Sequence, residues 1–414
     1  MTLQKRHDVL AKYKIAYMDI NKLQTIVLAF CMAFLTEAAF GQDLADVLKS
    51  VEENNTELIA LRKQSESEKY SFQAERALES PEIGFGYLWG PKDVGTRKDI
   101  SISQSFDIAA LSGTRKKISE SKTRLEDLSY SLNRQRVLLE TEQICIRLIW
   151  CNAMASELSS RLDRSSELEK LSREMFEKGE IDAVEMNNAR IAYLAQKNAL
   201  SRNEIERQSL MTDLQRLNGG EAISFDQKSF EGLPVLPKDF EAWYAEAARK
   251  SPELKFARQN VEVNAAVAQS VRMSNWPSFT AGYMAELVKD SNFHGVTFGI
   301  SIPLWSVRSK SMQARSSVNA AKLEERDVNC QAYLRLKGLY DKTHSLEVIS
   351  SELDESLAMA KESIALINTK FKDGEISILD EIMDWSLYYS VVDESLQADR
   401  DYHLALAELN SWDL

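Results

Sequence analysis

Two short stretches decide how the chain is read: Phe176-Glu177-Lys178-Gly179-Glu180-Ile181 and Phe371-Lys372-Asp373-Gly374-Glu375-Ile376. They lie 195 residues apart and share an aromatic, a glycine, a glutamate and an isoleucine in register. Before each of them Gly and Pro almost vanish. Thr114 to Phe176 contains neither, and Ser306 to Phe371 contains only Gly338. Glycine ends a helix readily because it enters the left-handed region without a Cβ clash. Each stretch therefore predicts the turn of a helical hairpin, with a returning helix over 182–217 or 376–410. The 63 residues from Thr114 to Phe176 would span ~95 Å as one helix, well beyond an ordinary globular helix. In the second long stretch Leu339, Leu346, Leu353, Ala360 and Ile367 are seven apart, and Leu357, Ile364 and Phe371 sit four further on. Sustained spacing of that kind predicts coiled-coil packing.

The repetition extends outward from the turns. Asn55-Thr56-Glu57-Leu58 resembles Ser251-Pro252-Glu253-Leu254, and Ser80-Pro81-Glu82 resembles Trp276-Pro277-Ser278. Ile102-Ser103-Gln104-Ser105-Phe106 resembles Ile300-Ser301-Ile302-Pro303-Leu304. The offsets, 196, 196 and 198, nearly equal that of the turns. The chain thus reads as two structural repeats, 42–218 and 239–414, joined by a linker over 219–238 that holds Gly219, Gly220, Pro234 and Pro237. In the first repeat, residues 44–79 lack Gly and Pro and predict a helix that Pro81 ends.

Strand signals precede each hairpin. Ile83, Phe85, Tyr87 and Trp89 alternate with Glu82, Gly84, Gly86 and Leu88, and Ile100, Ile102 and Phe106 alternate with serines and Asp107. In the second repeat Phe279, Ala281, Tyr283, Ala285 and Leu287 form one such series, and Val296, Phe298, Ile300, Ile302 and Leu304 another. Period two with one apolar and one small or polar face is a strand pattern. Runs of about nine to eleven residues suit a tilted membrane-spanning strand, and the aromatics suit an interfacial girdle. Phe85, Tyr87, Trp89, Phe279, Tyr283 and Phe298 are the expected lipid-facing residues. The competing reading is a small soluble sheet on a core. Four strands cannot close a barrel, and open edges are not tolerated in lipid. Strands must then be pooled between identical chains. Two chains give eight, which leaves room only for side chains, so three chains are the smallest number that makes a pore.

Composition narrows function. Lys and Arg number 51 against 63 Asp and Glu, a net charge of −12 among 414 residues. That excludes a nucleic-acid partner, which needs a basic face. Basic residues from Lys5 to Lys22, an apolar run over Ile26 to Leu35 and Ala39-Phe40-Gly41 predict a signal peptide over 1–41; Met18 is an alternative start. Its apolar run is about half of a bilayer span. Phe30 before Cys31 argues against lipidation. Cys145 and Cys151 lie six apart in a helical stretch, too far to bridge, and read as inert core thiols. No nucleophile elbow, phosphate loop or His-Glu-x-x-His motif is present, and the four histidines are scattered. An enzyme, a cofactor and a metal site are not expected.

With these residues in view, the chain resembles the TolC-type outer-membrane efflux channels over about residues 43–412. Phe176-x-x-Gly179-Glu180-Ile181 with Ala189-Arg190-Ile191-Ala192-Tyr193, and Phe371-x-x-Gly374-Glu375-Ile376 with Leu379-Asp380 and Leu387-Tyr388-Tyr389, resemble that family's two turns. Ile102 to Asp107 with Gly113, and Ile300 to Trp305, resemble its strand-to-helix signatures. The resemblance implies a mainly α fold with a small membrane β-part. Long α-helical hairpins and four strands per chain would build a trimer with a twelve-stranded barrel and an α-helical periplasmic tunnel. It implies an outer-membrane location in a Gram-negative cell, contact with outer-membrane lipid, and docking to a periplasmic adaptor and an inner-membrane pump. Gly179, Glu180, Gly374 and Glu375 would be adaptor contacts. Metal cations or small toxic compounds would be the cargo, and the short length of the chain with its Ile-Ser-Gln-Ser-Phe-Asp pattern is similar to the heavy-metal-efflux branch. The resemblance further implies a tunnel-tip constriction at Asp380, with Asp384 and Glu185 as further candidates. The family's second ring position is occupied here by Met383. Taken singly, Glu185, Glu381 and Asp384 read as solvated helix-face residues. A duct for type I polypeptide secretion and, in another class, a soluble periplasmic coiled-coil interaction protein are the alternatives.

Overall fold

The computed structural model describes residues 43–91, 95–230, 234–288, 291–305 and 307–414. The expected signal peptide lies outside them. Two short helices open the chain, α1 (Leu44–Asn54) and α2 (Thr56–Ala74), followed by strands β1 (Glu82–Trp89) and β2 (Thr96–Phe106). A single turn, α3 (Ile108–Leu111), leads into the long helix α4 (Thr114–Lys178), and α5 (Ala183–Leu217) returns. The second repeat runs through α6 (Phe240–Lys250), α7 (Pro252–Met273), β3 (Ser278–Val288), β4 (Ser291–Ser301), α8 (Val307–Lys372) and α9 (Ile378–Asn410). No described helix is long and apolar enough to cross a membrane.

The predicted single helix over 44–79 is in fact two helices that end at Ala74, seven residues before Pro81. The break falls at Asn55, whose backbone is extended (ψ 116°). Its side chain accepts from Leu58 N at 2.9 Å and donates to the Leu217 carbonyl at 2.7 Å. Ser251 caps α7 the same way by accepting from Leu254 N. The Asn55/Ser251 match is therefore a repeated helix cap, and an N-cap needs no Gly or Pro to interrupt a helix.

The two hairpin turns share one geometry. Gly179 (φ 77°) and Gly374 (φ 76°) sit left-handed just past α4 and α8. Glu180 N donates to the Met175 carbonyl and Glu375 N to the Lys370 carbonyl, both at 2.9 Å. Gly179 and Gly374 donate to the carbonyls of Phe176 and Phe371. This doubly bonded glycine cap satisfies carbonyls that a helix end leaves free. The heptad reading of α8 holds along its lower half. Thr343 and Ile364 are buried, and Leu339, Leu346, Leu353, Ala360 and Ile367 are half-buried.

Apolar burial is concentrated beside the middle of α4 and α8, where α5 and α9 end. One cluster joins Val47, Val51 and Leu58 to Leu148, Ile149, Leu214 and Leu217. A second joins Leu236 to Leu406 and Leu409. The segment expected as a mere linker enters both: Ile223 and Phe225 are buried in the first and Leu236 in the second. Cys145 and Cys151 belong to the first cluster as free thiols. Burial holds both in the thiol form, and the Cys151 pKa is pushed up to about 12.

The four strands form one antiparallel sheet in the order β1-β2-β3-β4. Both outer edges are unpaired among the described residues. The helices leave the sheet from one end only. At 1.5 Å per residue, the 65 residues of α4 reach about 98 Å from it.

Candidate functional site

The register sorts the sheet into two faces. Ile83, Ile102, Tyr283 and Val296 stand in one cross-strand row, and Phe85, Ile100 and Ala285 in the next. Tyr87, Trp89, Phe279 and Phe298 fall on the same face. All six expected lipid-facing residues are exposed and share it, with Trp89 and Phe298 each 82% exposed. Tyr87 meets Trp89 edge-on at 5.1 Å, and the Lys98 ammonium lies 5.7 Å from the Tyr87 ring.

The opposite face carries Gly84, Ser101, Ser103, Gly282, Thr297 and Gly299. A Cβ on Gly282 would meet the Ile102 carbonyl oxygen at 2.8 Å, so the small residue lets the strands approach. Near the β1–β2 and β3–β4 turns, Arg97 bridges two carboxylates, Asp99 at 3.0 Å and Glu286 at 2.7 Å. Small polar side chains on that face leave space for water, whereas the apolar face has no covering in the chain.

The far end of the hairpins holds the second candidate site. Asp380 is exposed and closes a capping box at the start of α9. Its carboxylate accepts from Ser377 N at 3.2 Å and from Ser377 Oγ at 2.7 Å, while Asp380 N donates to Ser377 Oγ at 3.1 Å. Those bonds hold its pKa below the usual aspartate range. In the first repeat Asp182 caps α5 alone by accepting from Val184 N and Glu185 N. Glu185 and Asp384 are half-buried, and neither pairs with Asp380. Gly179, Glu180, Gly374 and Glu375 form the two exposed turns.

Glu381 corrects the sequence reading. Expected on a solvated helix face, it is 3% exposed. One of its oxygens accepts from the Arg164 guanidinium of α4, which also donates to Asn368 Oδ1 of α8 at 2.7 Å. Arg164 stacks over the Trp385 ring at 3.6 Å. Glu381 Oε2 has no hydrogen-bond partner among the described residues. Burial raises the Glu381 pKa against the opposing pull of Arg164. Less than one turn earlier on α4, Arg161, also 3% exposed, pairs with Asp393 of α9 at 2.8 Å and lies 4.5 Å from the Tyr389 ring. The pair is misaligned for a hydrogen bond, so it acts as a charge contact. These side chains tie α4 of the first hairpin to α8 and α9 of the second. A cleft of about 380 Å³ beside them is lined by Leu168, Ile191, Leu379, Ile382 and Trp385. The signal for Glu381 was readable. Ile378, Glu381, Trp385, Tyr388, Val392 and Ser395 follow the three-to-four spacing of one helix face.

Among the described residues, no group of three or more His, Cys, Asp or Glu is placed to hold a metal ion.

No protein-family model matches the sequence, and neither does any curated protein. Solved structures do match. The Campylobacter jejuni CmeC outer membrane channel superposes with a TM-score of 0.73 at 12% identity, covering 89% of this chain and 85% of that one. The outer membrane protein VceC of Vibrio cholerae gives 0.72 at 12%, covering 89% and 95%. The open state of the Neisseria gonorrhoeae MtrE outer membrane channel gives 0.67 at 15%, covering 89% and 88%. The matches cover about nine-tenths of the chain, and the fold of the chain is that of the TolC-type outer-membrane channels.

Proposed function

We propose that the chain is the outer-membrane exit channel of a tripartite efflux system. It would pass metal cations or small toxic compounds outward without chemistry of its own. One observation carries this reading: a four-stranded sheet with an uncovered apolar face, a small polar face and two free edges. In water such a sheet would aggregate. In lipid the edges must be closed by other copies. Three chains close a twelve-stranded barrel with β1 of one beside β4 of the next. The apolar belt faces lipid, the Gly/Ser/Thr face lines the pore, and the long helices continue the bore into the periplasm. A soluble coiled-coil protein has no use for the belt. The exposed turns at Gly179-Glu180 and Gly374-Glu375 are the surfaces offered to a periplasmic adaptor, with the inner-membrane pump beyond it.

Asp380 sits at the tip, where three copies of one carboxylate round a bore would attract cations. Its capping bonds to Ser377 fix the carboxylate in place and keep it charged. Cell fractionation tests the channel reading. Recovery in the outer membrane as a heat-sensitive trimer is expected, and recovery in the soluble periplasm defeats it. Single-channel recording of Asp380→Asn tests the constriction. Reduced cation selectivity and reduced cation block are expected, and unchanged values remove Asp380 from that role.

A further inference from the structure

The chain is acidic overall, yet its charge reverses where the sheet meets the helices. The connecting stretches 75–79, 107–117, 270–275 and 302–315 carry eight Lys or Arg against three acids. Two of those acids are engaged, Glu75 with Lys122 and Asp107 with Arg115; Glu79 is exposed. Arg76, Arg272, Arg308, Lys310 and Arg315 are exposed, and none has an ion pair among the described residues.

The side to which α8 presents two of these can be read from its packing. Tyr333 packs edge-on against Tyr244 at 5.0 Å and Phe240 at 5.7 Å. Tyr340 donates to the Pro237 carbonyl at 2.7 Å. Helix α6 and the segment before it therefore form a second layer on this face of α8. A helical wall that encloses a duct must carry its second layer outside, because the same layer inside would fill the bore. Arg315 precedes Tyr333 by 18 residues, about five turns, and Arg308 precedes it by 25, about seven turns. Both arginines thus share the outward stripe. They lie in the first ~12 Å of α8 below the apolar belt, where a bilayer places its headgroups.

We propose that Arg308 and Arg315, repeated around the oligomer, form a collar that binds the phosphate headgroups of anionic phospholipid in the leaflet facing the helices. This rests on the channel reading above. The belt fixes the depth of the barrel by apolar transfer. The collar adds a charge anchor at one interface only, which resists sliding of the barrel along the membrane normal. Long arginine side chains suit this place, since their stems lie along apolar surface while the head reaches the phosphates.

The test uses the full-length oligomer in an uncharged detergent. Short-chain phosphatidylglycerol is titrated and its affinity read from the shift in melting midpoint, with phosphatidylcholine as the neutral probe. Preferential stabilisation by phosphatidylglycerol is expected. At about fivefold per basic residue, the Arg308→Gln/Arg315→Gln variant should bind it ~25-fold more weakly. Arg308→Lys/Arg315→Lys should retain the preference. Lys322→Gln removes the same charge from the same stripe about 21 Å below Arg308, beyond headgroup reach, and should bind as the parent does. In 1 M salt the preference should fade, since the Debye length is then ~3 Å. Equal stabilisation by the two lipids, equal stabilisation by inorganic phosphate alone, or an unchanged glutamine variant overturns the collar. None of these touches the channel reading, which fails separately if the chain is recovered soluble.

Discussion

Removing one partner of the Arg164–Glu381 pair should cost far more than removing both. In Arg164→Met the Glu381 carboxyl stays 3% exposed, loses its one cationic neighbour, and keeps an oxygen that already lacks a partner. Breaking a buried pair from one side costs ~3–5 kcal/mol. The Arg164 side chain is 30% exposed, so water can partly replace it, and about 3 kcal/mol is the reasoned value. Replacing both residues, Arg164→Met with Glu381→Met, leaves no uncompensated charge and should fall within about 1 kcal/mol of the parent. The pH dependence adds a second signature. Burial already raises the Glu381 pKa, and losing Arg164 raises it further. A carboxyl with a raised native pKa destabilises the fold at pH above that value. The cost is gone below the unfolded value, near 4.5. The single variant should therefore be weak at pH 8 and recover toward pH 4.5, while the double variant, with no carboxyl left to titrate at this site, should lack that dependence. Urea unfolding of the full-length oligomer, followed by far-UV circular dichroism across that pH range, measures both. A single-variant loss below about 1 kcal/mol, or a loss that does not depend on pH, would falsify the reading of Glu381 as a compensated buried charge.

Three further outcomes are expected. Gly179→Ala and Gly219→Ala both place a Cβ at positive φ, but only the second also meets a backbone atom, the Asn54 carbonyl oxygen at 2.4 Å; thermal melts should show Gly219→Ala as clearly the more damaging, and equal costs would contradict the packing. His403 stacks on Phe230 at 4.3 Å, and burial lowers its pKa to about 4; the stability it supports is full above pH 6.5 and lost as pH falls toward 4, by up to ~3 kcal/mol, so His403→Phe should flatten that acid limb. Glu142 has the opposite sign, because burial lifts it to about 7; Glu142→Gln should stabilise the protein at pH 8 and leave it unchanged at pH 4, as read by calorimetry.

The parts legible in the sequence were those whose cause is local. A glycine cap is written in a few residues, so both turns emerged at their true positions with one shared geometry. Strands were legible as period two, and the face carrying Phe85, Tyr283 and Phe298 is the one the register produces. The break at Asn55 was not legible, because an asparagine cap carries no Gly or Pro signal and its second anchor, the Leu217 carbonyl, lies 162 residues away. The segment 219–238 looked like a linker for the opposite reason. Its glycines and prolines dominate the local signal, while Phe225 and Leu236 find their partners in distant helices. Glu381 lies between these cases. The apolar periodicity of α9 put it on the buried stripe, but its chemical type argued for water until Arg164 was seen opposite.

The repeat also explains why the two sides of a hairpin differ in what holds them. A shift of 195 residues carries Arg164 to Met359, Leu171 to Leu366, Leu379 to Val184 and Tyr389 to Leu194. Within one chain the contact of α4 with α9 is pinned by the Arg164–Glu381 pair. The pseudo-equivalent contact would pair α8 with an α5. Met359, Leu366, Val184 and Leu194 are all exposed. In the proposed trimer that partner would be α5 of the next copy, and the contact between chains would be apolar at these positions. Apolar side chains slide past one another more freely than an ion pair that must keep its geometry. In the proposed trimer the tunnel tip would then combine fixed contacts inside each chain with looser ones between chains. Installing the missing pair tests that asymmetry. Glu381 shifts back by the same 195 residues onto Met186, so Met359→Arg with Met186→Glu should lock neighbouring chains together, raise the trimer melting point and lower open-state conductance. Either single substitution should instead weaken the trimer. A double variant that melts and conducts like the parent would show that α5 and α8 of neighbouring chains do not meet in this way.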